Sequence, residues 1–377
     1  MTKEQINKEA LGVLKTFKRS TAYLSVGVGK TKLGLNHFEL VMKKVQEKLS
    51  RNAKALVLAP RNKIIEGWKN EAKKWNLEHL LENITFSTYR SINKQSLNYD
   101  VIYLDECHSL LNSHDAYLKN FQGYILGLTG TAPAYENSEK GKMVAKYCPV
   151  KYTYLTDDAI KDKLLNDYKI IVHMLELSIL KNFKIEIKDK KTNEVTKSWM
   201  SSEKKTYDYY TSRCDNAFNS KSKSFASIMR MKQMHKFPTK EEYAKNLLNS
   251  INEKCILFAN EKLQADKLCS HSYHSSNKNS DTNLNMFETG KIKKLSCVDQ
   301  LSEGANISGL KEIIIMHSYG NNRKAQQKLG RALRLNPDDT AIIHILCFNN
   351  TVDVKWVTNA LSHLDQNKIS WYDSDIF

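Results

Sequence analysis

Two kinds of apolar pattern alternate along this chain. Short runs rich in Val, Ile and Leu predict strands buried on both faces, and longer stretches with apolar residues every three or four positions predict helices. In the first half the strands are expected at 22–26, 55–59, 84–87, 101–105 and 124–128, with helices over 32–49 and 62–75. Ile64, Trp68, Ala72 and Trp75 recur at helical spacing in the second of these, on one face. Residues 135–156 read as irregular, which places a domain boundary within 155–163. A second series follows, with strands at 169–175, 255–259, 294–298, 312–317 and 341–347. Between its first two strands, 183–198 reads as a hairpin turning at 191–193, and a helical stretch rich in Lys, Tyr and Met runs to about 251. Strands alternating with helices make a parallel sheet covered on both faces. The expected fold is α/β: two tandem domains, 1–157 and 158–377, each a mainly parallel sheet flanked by helices. The second carries a helical and hairpin insertion at about 181–250.

A length of 377 residues suits two domains. Hydrophobic residues at 41% and charged residues at 26% fit a globular chain that buries a core. The sequence has no apolar run long enough to span a bilayer. Its N-terminus lacks the apolar block of a signal peptide, so a cytoplasmic monomer away from membranes is expected. Seven cysteines without a CxxC pair read as reduced, mostly buried thiols. Cys269, His271 and His274 lack a clear fourth ligand and read as solvent-facing side chains, not a metal site. The net charge of +17 attracts polyanions, of which a nucleic-acid backbone is the natural one.

Chemistry enters at two places. Directly after the first strand and before a helix stand Gly27, Val28, Gly29, Lys30 and Thr31. Glycines let backbone N–H groups approach phosphate closely, and the helix N-terminus adds its dipole. Lys30 would reach the β- and γ-phosphates of ATP, and Thr31 would ligate Mg²⁺. The strict phosphate-loop pattern wants glycine where this chain has Leu24. At the end of the fourth strand stand Asp105 and Glu106, where ligands bind in open α/β sheets. Asp105 would hold Mg²⁺, and Glu106 would orient and deprotonate the attacking water.

With both motifs in place, the chain resembles superfamily 2 helicases of the DExH kind over nearly its whole length. The resemblance implies tandem RecA-like domains that close on ATP and Mg²⁺. It likens Gln5 to the adenine-reading glutamine. It likens 56–61, with Pro60 and Arg61, and 87–90, with Thr88, Tyr89 and Arg90, to motifs that touch the nucleic-acid backbone. Residues 128–133 resemble the motif coupling ATP state to strand binding, which implies coupling roles for Thr129, Gly130 and Thr131 together with His108. In the second half, Phe258, Asn260 and Ser302 match nucleic-acid-contacting motifs, and Gly304 and Gln327 match nucleotide-binding ones. Arg331 and Arg334 lie three apart on one helix face, so both guanidinium groups could reach across a cleft to the γ-phosphate.

The Thr-Gly-Thr at 129–131 and the forms of 299–307 and 326–334 are similar to DNA-directed members, among them phage branch-migration helicases, Swi2/Snf2-like translocases and restriction-enzyme motor subunits, and the compact size looks most like the phage type. This implies an ATP-dependent DNA helicase or translocase acting in replication, recombination or repair, with proteins of those processes as partners. DNA stands ahead of RNA as the strand. An RNA helicase would share the same ATP chemistry, and a nucleic-acid clamp could hydrolyse ATP without unwinding. An unrelated phosphate-loop kinase would leave the second domain unexplained.

Overall fold

The apolar runs do become strands. The computed structural model describes residues 1–25, 27–130, 138–189, 192, 194–298, 309–317, 339–362 and 364–373. The chain divides after Asp167: Met1–Asp167, joined by Asp339, forms one compact unit, and the other described residues form a second. The division lies a few residues beyond the stretch where the pattern placed it.

The first unit holds α1 (Lys3–Leu14), β1 (Arg19–Leu24), α2 (Lys30–Leu49), β2 (Ala55–Ala59), α3 (Asn62–Lys74), β3 (Ile84–Thr88), β4 (Val101–Asp105), α4 (Asp115–Asn120), β5 (Tyr124–Thr129), α5 (Glu139–Tyr147), β6 (Val150–Tyr154) and α6 (Thr156–Lys161). Its strands form one sheet in the order β3-β2-β4-β5-β1-β6, with every pair parallel. β2 and β4 are buried at every position, as strands covered on both faces must be. In register, Asp105 stands beside Leu128 and Tyr23 beside Thr129. The C-terminal ends of β4, β5 and β1 are therefore neighbours, and the loops after them share one edge of the sheet.

One difference from the sequence pattern lies at 135–156. Ser138 caps α5 by accepting from the Gly141 amide at 3.0 Å, and β6 extends the sheet beyond β1. As the edge strand, β6 buries only Tyr152 and Tyr154, so it has no apolar run to betray it. A second difference is Trp75, which ends α3 as its C-cap and lies half out of the protein. Lys32 Nζ stands 3.3 Å over its ring. Trp68 and Ala72, by contrast, are fully buried.

The second unit holds β7 (Asp167–Leu175), β8 (Phe183–Lys188), β9 (Val195–Ser201), α7 (Glu203–Asp215), α8 (Ser220–Met234), α9 (Pro238–Ser250), β10 (Cys255–Phe258), α10 (Lys262–Leu268), β11 (Ser272–Tyr273), α11 (Ser280–Glu288), β12 (Lys294–Cys297), β13 (Glu312–Ile315), β14 (Thr340–Phe348), α12 (Val352–Leu361) and β15 (Ile369–Asp373). Seven strands form a sheet in the order β11-β12-β10-β13-β14-β7-β15. β8 and β9 pair separately as an antiparallel hairpin. β15 runs parallel to β7, so the acidic, aromatic tail segment packs on its own sheet.

The inserted helices are anchored at their base. Buried Glu203 accepts from the Ser178 and Thr239 amides at 3.1 and 2.8 Å. The Tyr207 hydroxyl accepts from Val352 N at 2.8 Å, and Lys240 pairs with Asp353 in the interior. Six cysteines are buried and Cys269 is partly so, all as thiols. No helix of the described residues is long and apolar enough to cross a membrane. Among the described residues no three His, Cys, Asp or Glu side chains gather as for a metal. His274 is buried and not solvent-facing as its polar stretch suggests, meeting Asp266 at 2.8 Å.

Candidate active site

The expected phosphate loop follows β1. Gly27 and Gly29 have φ of 90° and 106°, a region that a Cβ makes costly, so glycine is needed at both. Val28 between them is buried. Gly29 is the N-cap of α2, which sets Lys30 and Thr31 in the first turn of that helix. The amides of that turn have no partner within the helix, and its dipole favours an anion there.

Across the sheet edge, β4 ends in Asp105 and Glu106. Glu106 adopts φ 52° and ψ 53°, a left-handed conformation that costs a residue with a Cβ roughly 1–3 kcal/mol. Its carboxylate is the centre of the site. Lys30 Nζ lies 3.3 Å from Oε1, and the Thr129 hydroxyl donates to Oε2 at 3.3 Å. The Gly130 amide hydrogen-bonds the same carboxylate. His108 Nδ1 stands 3.3 Å from Oε2 and 2.8 Å from Thr129 Oγ1. Burial pushes the Glu106 carboxyl up. The charges of Lys30 and His108, with the hydrogen bonds from Lys30 and Gly130, outweigh that and hold it below its ordinary value.

Asp105 is only 5% exposed. Burial first, then the charge of Glu106, push its carboxyl up to about 6, against the pull of Lys30 and a hydrogen bond from Trp68. That bond runs from Trp68 Nε1 on α3 to Asp105 Oδ2 at 2.7 Å. The Tyr89 hydroxyl donates to the Asp105 backbone carbonyl at 2.9 Å. Trp68 also packs on Tyr103, ring centroids 5.7 Å apart, and the Tyr103 hydroxyl meets His37 Nδ1 at 2.8 Å. Trp68 was legible as a core residue from its helical spacing but not as the partner of Asp105. A buried indole N–H needs an acceptor, and that was the available signal.

Lys30, Asp105, Glu106, His108, Thr129 and Gly130 thus come together at one sheet edge, with Thr31 on the adjoining helix turn. Gln5 does something local: its side-chain carbonyl accepts from Thr2 N at 2.6 Å, closing a capping box at the start of α1. Of the residues expected at nucleic acid, Arg61 and Arg90 are exposed and Pro60 and Thr88 partly so. Tyr89 and Phe258 are core side chains, and their burial is a correction to that expectation. Tyr89 is packed under the end of β4 with its ring stacked on His114, and Phe258 on β10 is 1% exposed. Asn260 Nδ2 meets His235 Nδ1 at 2.7 Å. Thr131, Ser302, Gly304, Gln327, Arg331 and Arg334 lie outside the described residues.

Comparison with known proteins gives the chain's relatives. Residues 2–134 match the family described as type III restriction enzyme, res subunit, and residues 239–336 match the helicase conserved C-terminal domain. The DNA 3'-5' translocase XPB2 of Sulfurisphaera tokodaii is 24% identical over 379 aligned positions, covering 87% of this chain and 78% of that protein. Three solved structures share the fold. The ATP-dependent type ISP restriction–modification enzyme LlaBIII, bound to DNA, has a TM-score of 0.62 at 15% identity, over 100% of this chain. This chain spans only 32% of that enzyme. A putative HsdR subunit fragment of a type I restriction enzyme from Vibrio vulnificus scores 0.60 at 16% identity, covering 99% of this chain and 68% of that one. The Hef helicase domain of Pyrococcus furiosus scores 0.51 at 14% identity, covering 94% and 96%. The two units are tandem RecA-like α/β domains, and the two family matches with the translocase relative support a superfamily 2 helicase.

Proposed function

We propose that this chain, which matches a type III restriction enzyme res-subunit family over residues 2–134 and a helicase C-terminal family over 239–336, is a nucleic-acid-stimulated ATPase that moves along DNA. One observation carries the reading. Lys30, Thr129, Gly130 and His108 converge on the Glu106 carboxylate, beside a loop whose two glycines hold positive φ. Gly27, Val28 and Gly29 would turn backbone amides, and Lys30 its ammonium, to the phosphates of ATP. The Thr31 hydroxyl and the Asp105 carboxylate are oxygen donors of the kind a hard divalent cation takes. Bound Mg²⁺ would neutralise charge on the phosphates.

Glu106, held below its ordinary range, is ionised at neutral pH and would orient the attacking water and accept its proton. Phosphate oxygens compete with that carboxylate for Lys30, so phosphate binding would release Glu106 for this role. Thr129 and His108 would carry the state of the carboxylate to the end of β5. Arg331 and Arg334, three apart in the sequence, would stabilise the γ-phosphate, and by the resemblance of 299–307 and 326–334 to helicase motifs Gly304 and Gln327 would contact the nucleotide. Arg61 and Arg90, with Pro60 and Thr88, stand at the same ends of β2 and β3 and would meet the strand's phosphates; Asn260 and Ser302 would add contacts from the second half.

DNA is favoured because the matched relative is named a DNA translocase and one similar structure is of a DNA-bound enzyme. The motif forms at 129–131, 299–307 and 326–334 resemble DNA-directed members in general, and branched DNA, as for phage branch-migration enzymes, is the finer reading within that group. The test is steady-state ATP hydrolysis with no polynucleotide, single-stranded DNA, duplex DNA, a four-way junction and RNA. Stimulation by DNA, greatest on the junction, supports the reading. Stimulation by RNA alone makes this an RNA helicase, and indifference to every polynucleotide overturns the proposal. Displacement of a triplex-forming strand separates a translocase from a clamp.

A further inference from the structure

The insertion of the second unit holds a surface that the ATP site does not use. Of 21 exposed large apolar side chains among the described residues, nine fall between Ile179 and Ile228. α7 and α8 pack against each other as a helical hairpin, joined by a short link at 216–219. Its inner face is committed: Tyr207, Cys214, Ala226 and Met234 are buried, and Arg230 lies over the Tyr207 ring. Its outer face on α8 carries Lys221, Phe225, Ile228 and Lys232 at i, i+4, i+7 and i+11, all exposed. Phe218 in the link is fully exposed, and Phe225 is 59% exposed. On α7, Tyr209 is exposed with the Arg213 guanidinium 5.9 Å from its ring centre.

Charge points to the occupant. α8 has four basic residues, Lys221, Lys223, Arg230 and Lys232, and no acidic one. Of the three acidic residues on α7, Glu203 is buried in the anchor, Asp208 is paired with Lys204 at 2.8 Å, and Asp215 is exposed at the helix end, against four basic residues on α8. Rings exposed singly between lysines are what bases can stack on while phosphates meet the ammonium groups. A duplex hides its base faces, so the complement is an unpaired strand. A membrane would want a broad apolar face, whereas this one has only Phe225 and Ile228 between its lysines.

We propose that the outer face of the α7–α8 hairpin binds single-stranded nucleic acid, with Phe218 and Phe225 stacking on bases and Lys221 and Lys232 pairing with phosphates. This rests on the reading that the chain acts on nucleic acid, and adds a grip outside the helicase motifs. Because Glu203 and Tyr207 tie the base of α7 to Ser178, Thr239 and Val352, such a grip would be rigidly held.

The test is binding of a fluorescent oligothymidylate by the full chain, measured by anisotropy without ATP. Phe218→Ala with Phe225→Ala is expected to weaken binding about tenfold or more, with the salt slope unchanged. Lys221→Gln with Lys232→Gln is expected to lower the slope of log K against log salt by about 1.4. Leu263→Ala, an exposed change outside the insertion, should leave both unchanged, as should basal ATP hydrolysis in all three variants. Wild-type affinity in the double phenylalanine variant overturns the proposal. So does loss of binding to phosphatidylserine vesicles in place of the oligonucleotide, which makes the face a membrane anchor. Failure of the ATPase reading shows separately, as hydrolysis indifferent to Glu106→Gln, and leaves this binding measurement intact.

Discussion

Replacing Trp68 by Phe removes one hydrogen-bond donor from the wall of the site. The indole Nε1 donates to Asp105 Oδ2 at 2.7 Å, with Trp68 wholly buried and Asp105 nearly so. A hydrogen bond to a charged group contributes about 1.5–3 kcal/mol, and a buried oxygen that loses its donor bears that cost. The smaller ring also leaves a void against α2, where Gly34 makes room for the indole: a Cβ at 34 would stand 2.4 Å from Trp68 Cη2. A double-mutant cycle of Trp68→Phe and Asp105→Ala separates the two, because the void is common to both arms and cancels. Hydrogen exchange of the β4 and β5 amides at increasing urea reports the first unit alone and gives the free energy of each variant. The expected coupling is about 1.5–3 kcal/mol at neutral pH. Additivity to within about 0.5 kcal/mol would refute the idea that this bond holds Asp105 in place.

Two helical glycines should respond to alanine with opposite signs. Gly34→Ala drives a methyl into Trp68 and should cost roughly 1–3 kcal/mol, whereas Gly67→Ala on α3 meets nothing within 4 Å and should stabilise by roughly 0.5–1 kcal/mol; urea midpoints of the first unit check both. Burial, with Lys44 adding to it, holds the His37 imidazole down to about 4 from 6.5. A depressed histidine stabilises fully above its unfolded value and loses that stabilisation as pH falls toward its folded value, because the unfolded chain then takes a proton the native state refuses. Stability of the first unit should therefore drop by about 2 kcal/mol from about pH 8 to about pH 5 through His37 alone, and His37→Gln should flatten that part of the curve. An unchanged slope in the variant would place the acid sensitivity elsewhere.

How far the sequence spoke depended on which physical signal each element carries. β2 and β4 were plain because a strand covered on both faces is apolar throughout. Lys30, Asp105 and Glu106 were expected at one sheet edge, and they lie there, Lys30 opening α2 after β1 and Asp105 and Glu106 ending β4. α5 and β6 were hidden, since an edge strand exposes half its residues and dilutes the apolar run. The left-handed backbone of Glu106 has no sequence mark, because glutamate is not the residue that conformation prefers. The bond from Trp68 to Asp105 joins positions 37 apart, which no local period reveals. Tyr89 sits in a stretch read as a nucleic-acid contact, yet its hydroxyl serves the Asp105 carbonyl. Position within a motif told which segment lines the site, not which way each side chain turns. The insertion's aromatics divide likewise: Tyr207 packs inward, and Tyr209 and Trp199 face out.

In the proposed reaction the Glu106 carboxylate, joined by Lys30, Thr129 and His108, is the base of ATP hydrolysis. The most direct measurement compares turnover of wild type and Glu106→Gln in saturating single-stranded DNA, with ATP affinity measured in parallel. Loss of a general base should lower kcat by at least about a hundredfold, with ATP still bound. Turnover in the variant at the wild-type rate would contradict the assignment of Glu106 as the hydrolytic base.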